Sequence, residues 1–273
     1  MTIRELQLPV LEAFNCFKEE YARQITSGKQ EKNSSFLAEV GQQLSEHPGK
    51  MLRPLLLLLS AKACGHLSNQ HIKLAIAMEM LHNATLMHDD VVDESDQRRG
   101  TDSVRHRWGN QVAVLCGDYY LSQAMSIIQE TGNRKASAIV AETVSTMSLG
   151  ELKQLYLVGK GEITADHYID VIGSKTASLM SACCELGSLP ETGDNAPYSK
   201  PMHDFGYHYG IVFQIRDDMA DLQEAHDIKM PSSINPNEPV THHSQLAANA
   251  LKPIPDSPAK QSLLCLLQKI QCN

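Results

Sequence analysis

The chain lacks any excess of positive charge: 24 Lys and Arg stand against 32 Asp and Glu, for a formal charge of -8 and a pI near 5.8. Nucleic-acid backbones reward clustered cations over a whole face, so a nucleic-acid partner is argued against, and any anion must be met locally. Long apolar runs are missing too. The longest, Leu55 to Leu59, is far too short to span a bilayer, and Arg4 and Glu5 leave no room for the apolar core of a signal peptide. The seven cysteines include no CxxC pair and no histidine at zinc-finger spacing, which points to reduced, mostly buried thiols and a cytoplasmic protein. No GxSxG elbow, P-loop or DxDxDG order occurs, which removes a serine hydrolase, a nucleotide-binding loop and an EF-hand. Aromatic content is only 5%, but 42% of the 273 residues are hydrophobic. That is enough for one large core or two tightly joined ones.

What remains is rich in helix formers and shows no convincing alternating strand pattern, so the fold class is all-α. The pattern predicts helices over 51–64, with Pro54 in the first turn and Gly65 as stop, and over 69–92 behind Ser68 as cap. Further helices are expected over 110–131, 134–158, 165–186 (Thr164 as cap, Gly187 as stop), 201–226 and 259–271. Six of the twelve prolines lie between Pro231 and Pro258, and short broken pieces are expected there. On the 69–92 helix, Ile72, Ala75, Ile76, Glu79, Met80, Asn83, Met87 and Asp90 fall near one stripe.

Two carboxylate clusters of identical spacing dominate the chemistry: Asp89-Asp90-Val91-Val92-Asp93 and, 128 positions on, Asp217-Asp218-Met219-Ala220-Asp221. Residues four apart share a helix face, so Asp89 pairs with Asp93 and Asp217 with Asp221. Like charges there repel, and at a helix C-terminus they also oppose the macrodipole. The arrangement calls for a counter-charge, a divalent metal such as Mg2+, which takes oxygen ligands and bridges carboxylates to phosphate oxygens. Arg98 and Arg99, with Lys50, Arg53, Lys175 and Arg216, are candidate phosphate partners. Blander readings stand beside these: Arg98-Arg99 neutralising the acids, and His82 and His88 as satisfied core histidines.

In five motifs the chain resembles the trans-isoprenyl (polyprenyl) diphosphate synthases. They are Gly49-Lys50-Met51-Leu52-Arg53-Pro54; His82 through Asp96 with Arg98-Arg99-Gly100; Leu115-Cys116-Gly117-Asp118-Tyr119; Gly173-Ser174-Lys175-Thr176-Ala177; and Phe213-Gln214-Ile215-Arg216-Asp217-Asp218. The resemblance implies a single isoprenoid-synthase-like domain over 1–273, a helical bundle of about ten helices around a central cavity, working as a homodimer. It implies Mg2+-dependent condensation of isopentenyl diphosphate with an allylic diphosphate such as farnesyl diphosphate. Lys50, Arg53, His82 and Arg99 match isopentenyl diphosphate positions, while Arg98, Lys175, Thr176 and Gln214 match those near the allylic diphosphate. Asp89, Asp93, Asp217 and Asp221 match metal ligands, with Asp90 and Asp218 in support. Chain length in such enzymes depends on the bulk beneath the first cluster. Here Ala84 and Thr85 are small, and Leu81, Met78, Tyr120 and Met125 are the deeper candidates, so the expected product has twenty carbons or more.

The match has gaps. Pro48-Gly49-Lys50-Met51 stands where the family has Gly-Gly-Lys-Arg, so one cation is missing. After Asp221 the family's lysine-bearing stretch has only Lys229 as a candidate, and region 222–273 reads as shortened by roughly fifty residues. Two other readings are therefore carried. One is a non-catalytic or regulatory subunit of a heteromeric synthase. The other is a class I terpene cyclase, whose second motif would want Ser or Thr at Asp221 and Glu at Ala225.

Overall fold

The computed structural model describes residues 2–26, 35–161, 163–192, 196–220, 230–231 and 234–272. As expected, the regular structure is almost wholly helical: α1 (Ile3–Gln7), α2 (Leu11–Thr26), α3 (Ser35–Glu46), α4 (Leu52–Ala63), α5 (Asn69–Val92), α6 (Val104–Trp108), α7 (Asn110–Glu130), α8 (Arg134–Lys160), α9 (Ala165–Ile172), α10 (Ser178–Gly187), α11 (Ser199–Ala220), α12 (Asn237–Ala250) and α13 (Pro258–Cys272). A π-helical turn, Gly173–Ala177, joins α9 to α10. Among the described residues the strands are β1 (Gln97–Arg98) and β2 (Thr101–Asp102), a two-stranded hairpin. No described helix is long and apolar enough to cross a membrane.

Backbone contacts divide the chain into two compact units: Glu12–Leu55 with Ile72–Gly132, and Met1–Leu11 with Leu56–His71 and Asn133–Asn273. The first acidic cluster belongs to the former and the second to the latter. In the first-cluster unit, α2 buries Phe14, Phe17, Tyr21 and Ile25, a 3-4-4 spacing that gives one apolar face. Its rings pack in series, with centroids 5.7 and 5.6 Å apart. Asn83 ties α5 to this face by donating to the Tyr21 hydroxyl at 2.8 Å and to the Glu79 carbonyl at 2.8 Å. Gly41 lets α3 ride on the end of α2, since a Cβ there would lie 2.1 Å from the Ile25 carbonyl oxygen. All eight residues of the expected α5 stripe are buried, and Leu74, Ala77, Met78, Leu81 and Ala84 are buried as well.

In the second-cluster unit the core gathers Leu157, Tyr168, Val171, Ile172, Ile211, Val212 and Ile215. Glycines set the helix spacing. A Cβ on Gly206 would come 2.6 Å from Ser181 Cα, and one on Gly210 would come 2.5 Å from Ala177 Cα, so α11 meets α10 and the π turn backbone to backbone. Gly187 does the same against α4, 2.3 Å from the Leu57 carbonyl oxygen.

Two local expectations need correction. The stretch expected as one helix, 165–186, is broken by the π turn. The proline-rich segment is not all short pieces, because α12 is continuous. Its prolines, Pro236 as N-cap and Pro239 in the first turn, sit where a missing N–H costs nothing. Ser68 directly precedes α5, with its hydroxyl 3.0 Å from the His71 ring. Thr164 does cap α9, accepting from the His167 N–H. Of the six described cysteines, Cys64, Cys116, Cys183 and Cys184 are buried. Burial pushes Cys64 and Cys184 up to about 12 and raises Cys116.

Candidate active site

The first cluster is mounted on the last turn of α5. The Asp93 N–H still donates to the Asp89 carbonyl at 2.8 Å, so the helical register that aligns these two side chains persists through Asp93. Glu94 then ends the helix with φ of 51°. The chain returns through the hairpin, whose two-residue loop has φ of 55° at Arg99 and 76° at Gly100. Both positive values are the signature of a type I′ turn. Glycine adopts it freely, whereas Arg99 pays roughly 1–2 kcal/mol.

That turn folds Arg98 back onto the acidic cluster. Its Nε and Nη2 donate to Asp90 Oδ1 at 2.8 and 2.5 Å. The Asp90 side chain is only 3% exposed, so burial raises its pKa while Arg98 pulls it back. Asp90 thus anchors the hairpin, whereas Asp89 and Asp93 are half-buried and keep access to solvent. Arg99 donates to the His47 carbonyl at 3.1 Å, and its guanidinium lies over Gly49, where a Cβ would come within 2.9 Å. Gly49 and Met51, with φ of 70° and 49°, bend the loop that carries Lys50.

Behind it, Arg53 Nη1 and His82 Nε2 are 2.9 Å apart. Burial, then Arg53, Arg99 and Arg98, hold His82 well below its ordinary pKa, so the imidazole is neutral and accepts from Arg53 on Nε2. Sequence reasoning placed Glu79 on the buried stripe without a role. Its buried carboxyl is raised by burial and drawn back by the nearby charges of Arg53 and Arg99. A cleft lined by Gln43, His47, Asn83, Asp90, Arg98 and Arg99 opens beside them.

The second cluster ends α11. Asp217 and Asp218 are half-buried, while Asp221 and Lys229 lie outside the described residues. Gln214 donates from Nε2 to Asp218 Oδ1 at 2.7 Å and accepts the Thr176 hydroxyl on Oε1 at 2.9 Å. Tyr168 donates its hydroxyl to Asp218 Oδ2. Lys175, on the π turn, meets Glu151 of α8 at 2.8 Å, with both side chains sheltered. Two glycines make room for this wider turn. A Cβ on Gly150 would lie 2.7 Å from Ser174 Cβ, and one on Gly173 would lie 2.5 Å from the Tyr207 hydroxyl. A π turn at a cation-bearing segment is a common functional device. Tyr168 and Glu151 were missed in the sequence, because neither has a local signal that points to α11 or to the π turn.

Arg216 does not join this group. It donates from Nη2 to the Gln271 carbonyl at 2.7 Å and so caps the last turn of α13. Of the candidate chain-length positions, Met78, Leu81 and Ala84 are buried. Thr85 is half-buried and donates to the His82 carbonyl at 2.8 Å. Tyr120 is buried, its hydroxyl bonded to the Ile25 carbonyl at 3.3 Å, but Met125 is 39% exposed and is removed from any deep floor.

The acids of the two clusters are hard oxygen ligands, a donor chemistry that fits a divalent metal ion able to take phosphate oxygens as well.

A family model described as polyprenyl synthetase matches residues 34–230. The chain belongs to the polyprenyl synthetase family. Similar members of that family include the octaprenyl diphosphate synthase of Escherichia coli (strain K12), 36% identical over 183 residues, and the heptaprenyl diphosphate synthase component 2 of Geobacillus stearothermophilus, 35% identical over 187. These alignments take in 67% and 68% of this chain but only 56% and 58% of the relatives, so the chain spans little more than half the length of the curated relatives it matches. Among solved structures, a decaprenyl diphosphate synthase from Rhodobacter capsulatus superposes with a TM-score of 0.88 at 27% identity, covering 99% of this chain and 98% of that one. A polyprenyl synthase from Caulobacter crescentus CB15 gives 0.89 at 22% identity, covering 100% and 98%, which speaks for the fold. The polyprenyl synthetase architecture, the all-α isoprenoid synthase fold, is therefore that of this chain.

Proposed function

We propose that the chain is a trans-polyprenyl diphosphate synthase. It condenses isopentenyl diphosphate with an allylic diphosphate such as farnesyl diphosphate, in a Mg2+-dependent reaction, to an all-trans product of twenty carbons or more. The observation that carries this reading is the pair of acidic helix ends, each braced beside its own cations: Asp90 by Arg98, and Asp218 through Gln214 to the Lys175–Thr176 turn.

Asp89, Asp93, Asp217 and Asp221 would hold Mg2+. The bound metal supplies positive charge to the leaving diphosphate. Lys175 and Arg98 add to that charge where it develops as the allylic C–O bond breaks. Arg53, Arg99 and Lys50 hold the diphosphate of isopentenyl diphosphate, and neutral His82 keeps Arg53 oriented. The isopentenyl double bond forms the new C–C bond, and a proton then leaves to the released diphosphate. No protein nucleophile takes part. Small Ala84 and Thr85 favour a long product, with Leu81, Met78 and Tyr120 as the deeper positions.

A homodimer is the assembly we infer. On α8, Leu149, Leu152 and Tyr156 lie at i, i+3 and i+7 and are 64%, 62% and 61% exposed, an apolar face that a second copy would cover. The likeness to a heptaprenyl diphosphate synthase component 2 favours a second reading, in which a different subunit takes that face. The apparent shortening of 222–273 gives the same reading weight.

The test is incubation with labelled isopentenyl diphosphate, Mg2+ and farnesyl diphosphate, with the products resolved by length. The synthase reading expects a ladder that ends at a defined length and vanishes with Asp89→Ala and with Asp217→Ala. A folded protein that incorporates nothing with any primer from five to twenty carbons would instead support the subunit reading.

A further inference from the structure

Tyr168 is fully buried in the core of the second-cluster unit, yet its hydroxyl reaches the acidic turn of α11. Asp218 takes the Tyr168 O–H on Oδ2 and the Gln214 N–H on Oδ1, so each carboxylate oxygen already has a protein donor. An ionised carboxylate only accepts, which fixes the direction of every bond that follows. Gln214 must present Nε2 to Asp218 and therefore Oε1 to Thr176, and the Thr176 hydroxyl proton is spent on that oxygen. The hydrogen bonds link α9, α11 and the π turn beside Lys175, and the donations converge on Asp218.

We propose that Tyr168 is a positioning residue for the second acidic turn. Acting through Asp218, its hydroxyl fixes the Gln214 amide and, through it, the Thr176–Lys175 turn, in the orientation that receives a metal-bound diphosphate. The assignment rests on the synthase reading above. It also divides labour within the second cluster. Asp218 serves the protein scaffold, leaving Asp217 with Asp221 for the metal. Thr176 acts by orientation, because donation to a phosphate would require breaking its bond to Gln214. Gln214 has a second N–H, which is the donor this arrangement leaves for phosphate oxygen.

Tyr168→Phe removes one oxygen and keeps the ring. The decisive measurement is calorimetric titration of Mg2+ in the presence of inorganic diphosphate, with turnover and the thermal midpoint followed in parallel. Losing one hydrogen bond to a charged group should weaken Mg2+–diphosphate binding about tenfold and lower kcat by a similar factor. The KM for isopentenyl diphosphate should stay within about twofold, a split that a general loss of stability would not produce. Thr176→Val should lose no further affinity when added to Tyr168→Phe, since both cut the same chain.

Wild-type Mg2+–diphosphate affinity in folded Tyr168→Phe, or losses that multiply in the double variant, would overturn the proposal. If Tyr168→Phe does not fold, Asp218→Asn takes its place with the same expected weakening, and undiminished affinity there is equally fatal. A wild type that binds Mg2+ with diphosphate but transfers no prenyl group, with Tyr168→Phe binding tenfold more weakly, would sink the synthase reading and keep the brace. A wild type that binds no Mg2+ with diphosphate overturns both.

Discussion

Asp89 and Asp90 are adjacent in sequence, and the proposed function gives them opposite jobs, which a pair of isosteric substitutions separates. Asp90→Asn keeps shape but removes the charge onto which the Nε and Nη2 of Arg98 converge at 2.8 and 2.5 Å. A hydrogen bond to a charged group contributes about 1.5–3 kcal/mol, and the asparagine oxygen retains part of one. Arg98 is 37% exposed and rehydrates in part, so the loss falls short of the 3–5 kcal/mol of a wholly buried broken pair. The expected cost is about 2 kcal/mol, close to a 30-fold shift in the folding equilibrium and roughly 4–8 °C in Tm. Because the hairpin that carries Arg98 and Arg99 loosens, KM for the diphosphate substrates should rise as well. Asp89→Asn removes a half-buried anion from the negative end of α5, and its stability change should stay under about 1 kcal/mol. Its turnover, in contrast, should collapse. Urea titration and steady-state kinetics on both variants decide the matter. Equal stability losses, or an Asp90→Asn protein that loses turnover at unchanged stability, would refute the division drawn here.

Gly210→Ala would put a methyl 2.5 Å from Ala177 Cα, which is backbone and cannot step aside. A loss of about 3 kcal/mol is expected, at the upper end of overpacking costs, with reduced activity as the π turn is displaced; denaturant melting checks it. Burial, then His208 and His242, hold His243 down to about 4, and His208 is also lowered. The unfolded chain therefore binds more protons between about pH 6.5 and 4, and stability from this pair is full above that window and drains away as pH falls through it. The difference in Tm between wild type and His243→Asn, scanned from pH 7.5 to 4, should shrink across the same range. Chelation with EDTA should abolish prenyl transfer, and Mg2+ should restore it; turnover that survives chelation refutes the metal reading. Leu152→Asp should shift the chain to a smaller species in analytical ultracentrifugation.

The sequence carried the long helices well where local signals agree. The α5 boundaries, 69–92, follow from an apolar stripe that ends in acid, and Thr164 caps where its type predicts. It was silent wherever the cause lies elsewhere in the chain. Gly173-Ser174-Lys175-Thr176-Ala177 reads as plain helix, and its π geometry depends on space left by Gly150, more than twenty residues away. Prolines 236 and 239 look like breakers until their place in the first turn of α12 is known. Arg216 looked like a phosphate ligand because its neighbours are acidic, but its guanidinium serves a carbonyl of α13. Asp90 is one letter of a repeated acidic motif, and its burial and its bonds from Arg98 separate it from Asp89.

The concealed thiols give the molecule built-in reporters. Cys64, Cys183 and Cys184 lie in the second-cluster unit and Cys116 in the first, all buried, and burial holds Cys64, Cys116 and Cys184 in the unreactive protonated form at neutral pH. An alkylating reagent therefore reaches each of them at the rate its surroundings open. Pulsed labelling read by mass spectrometry would time the breathing of each half separately, with no engineered probe and no change to the chain.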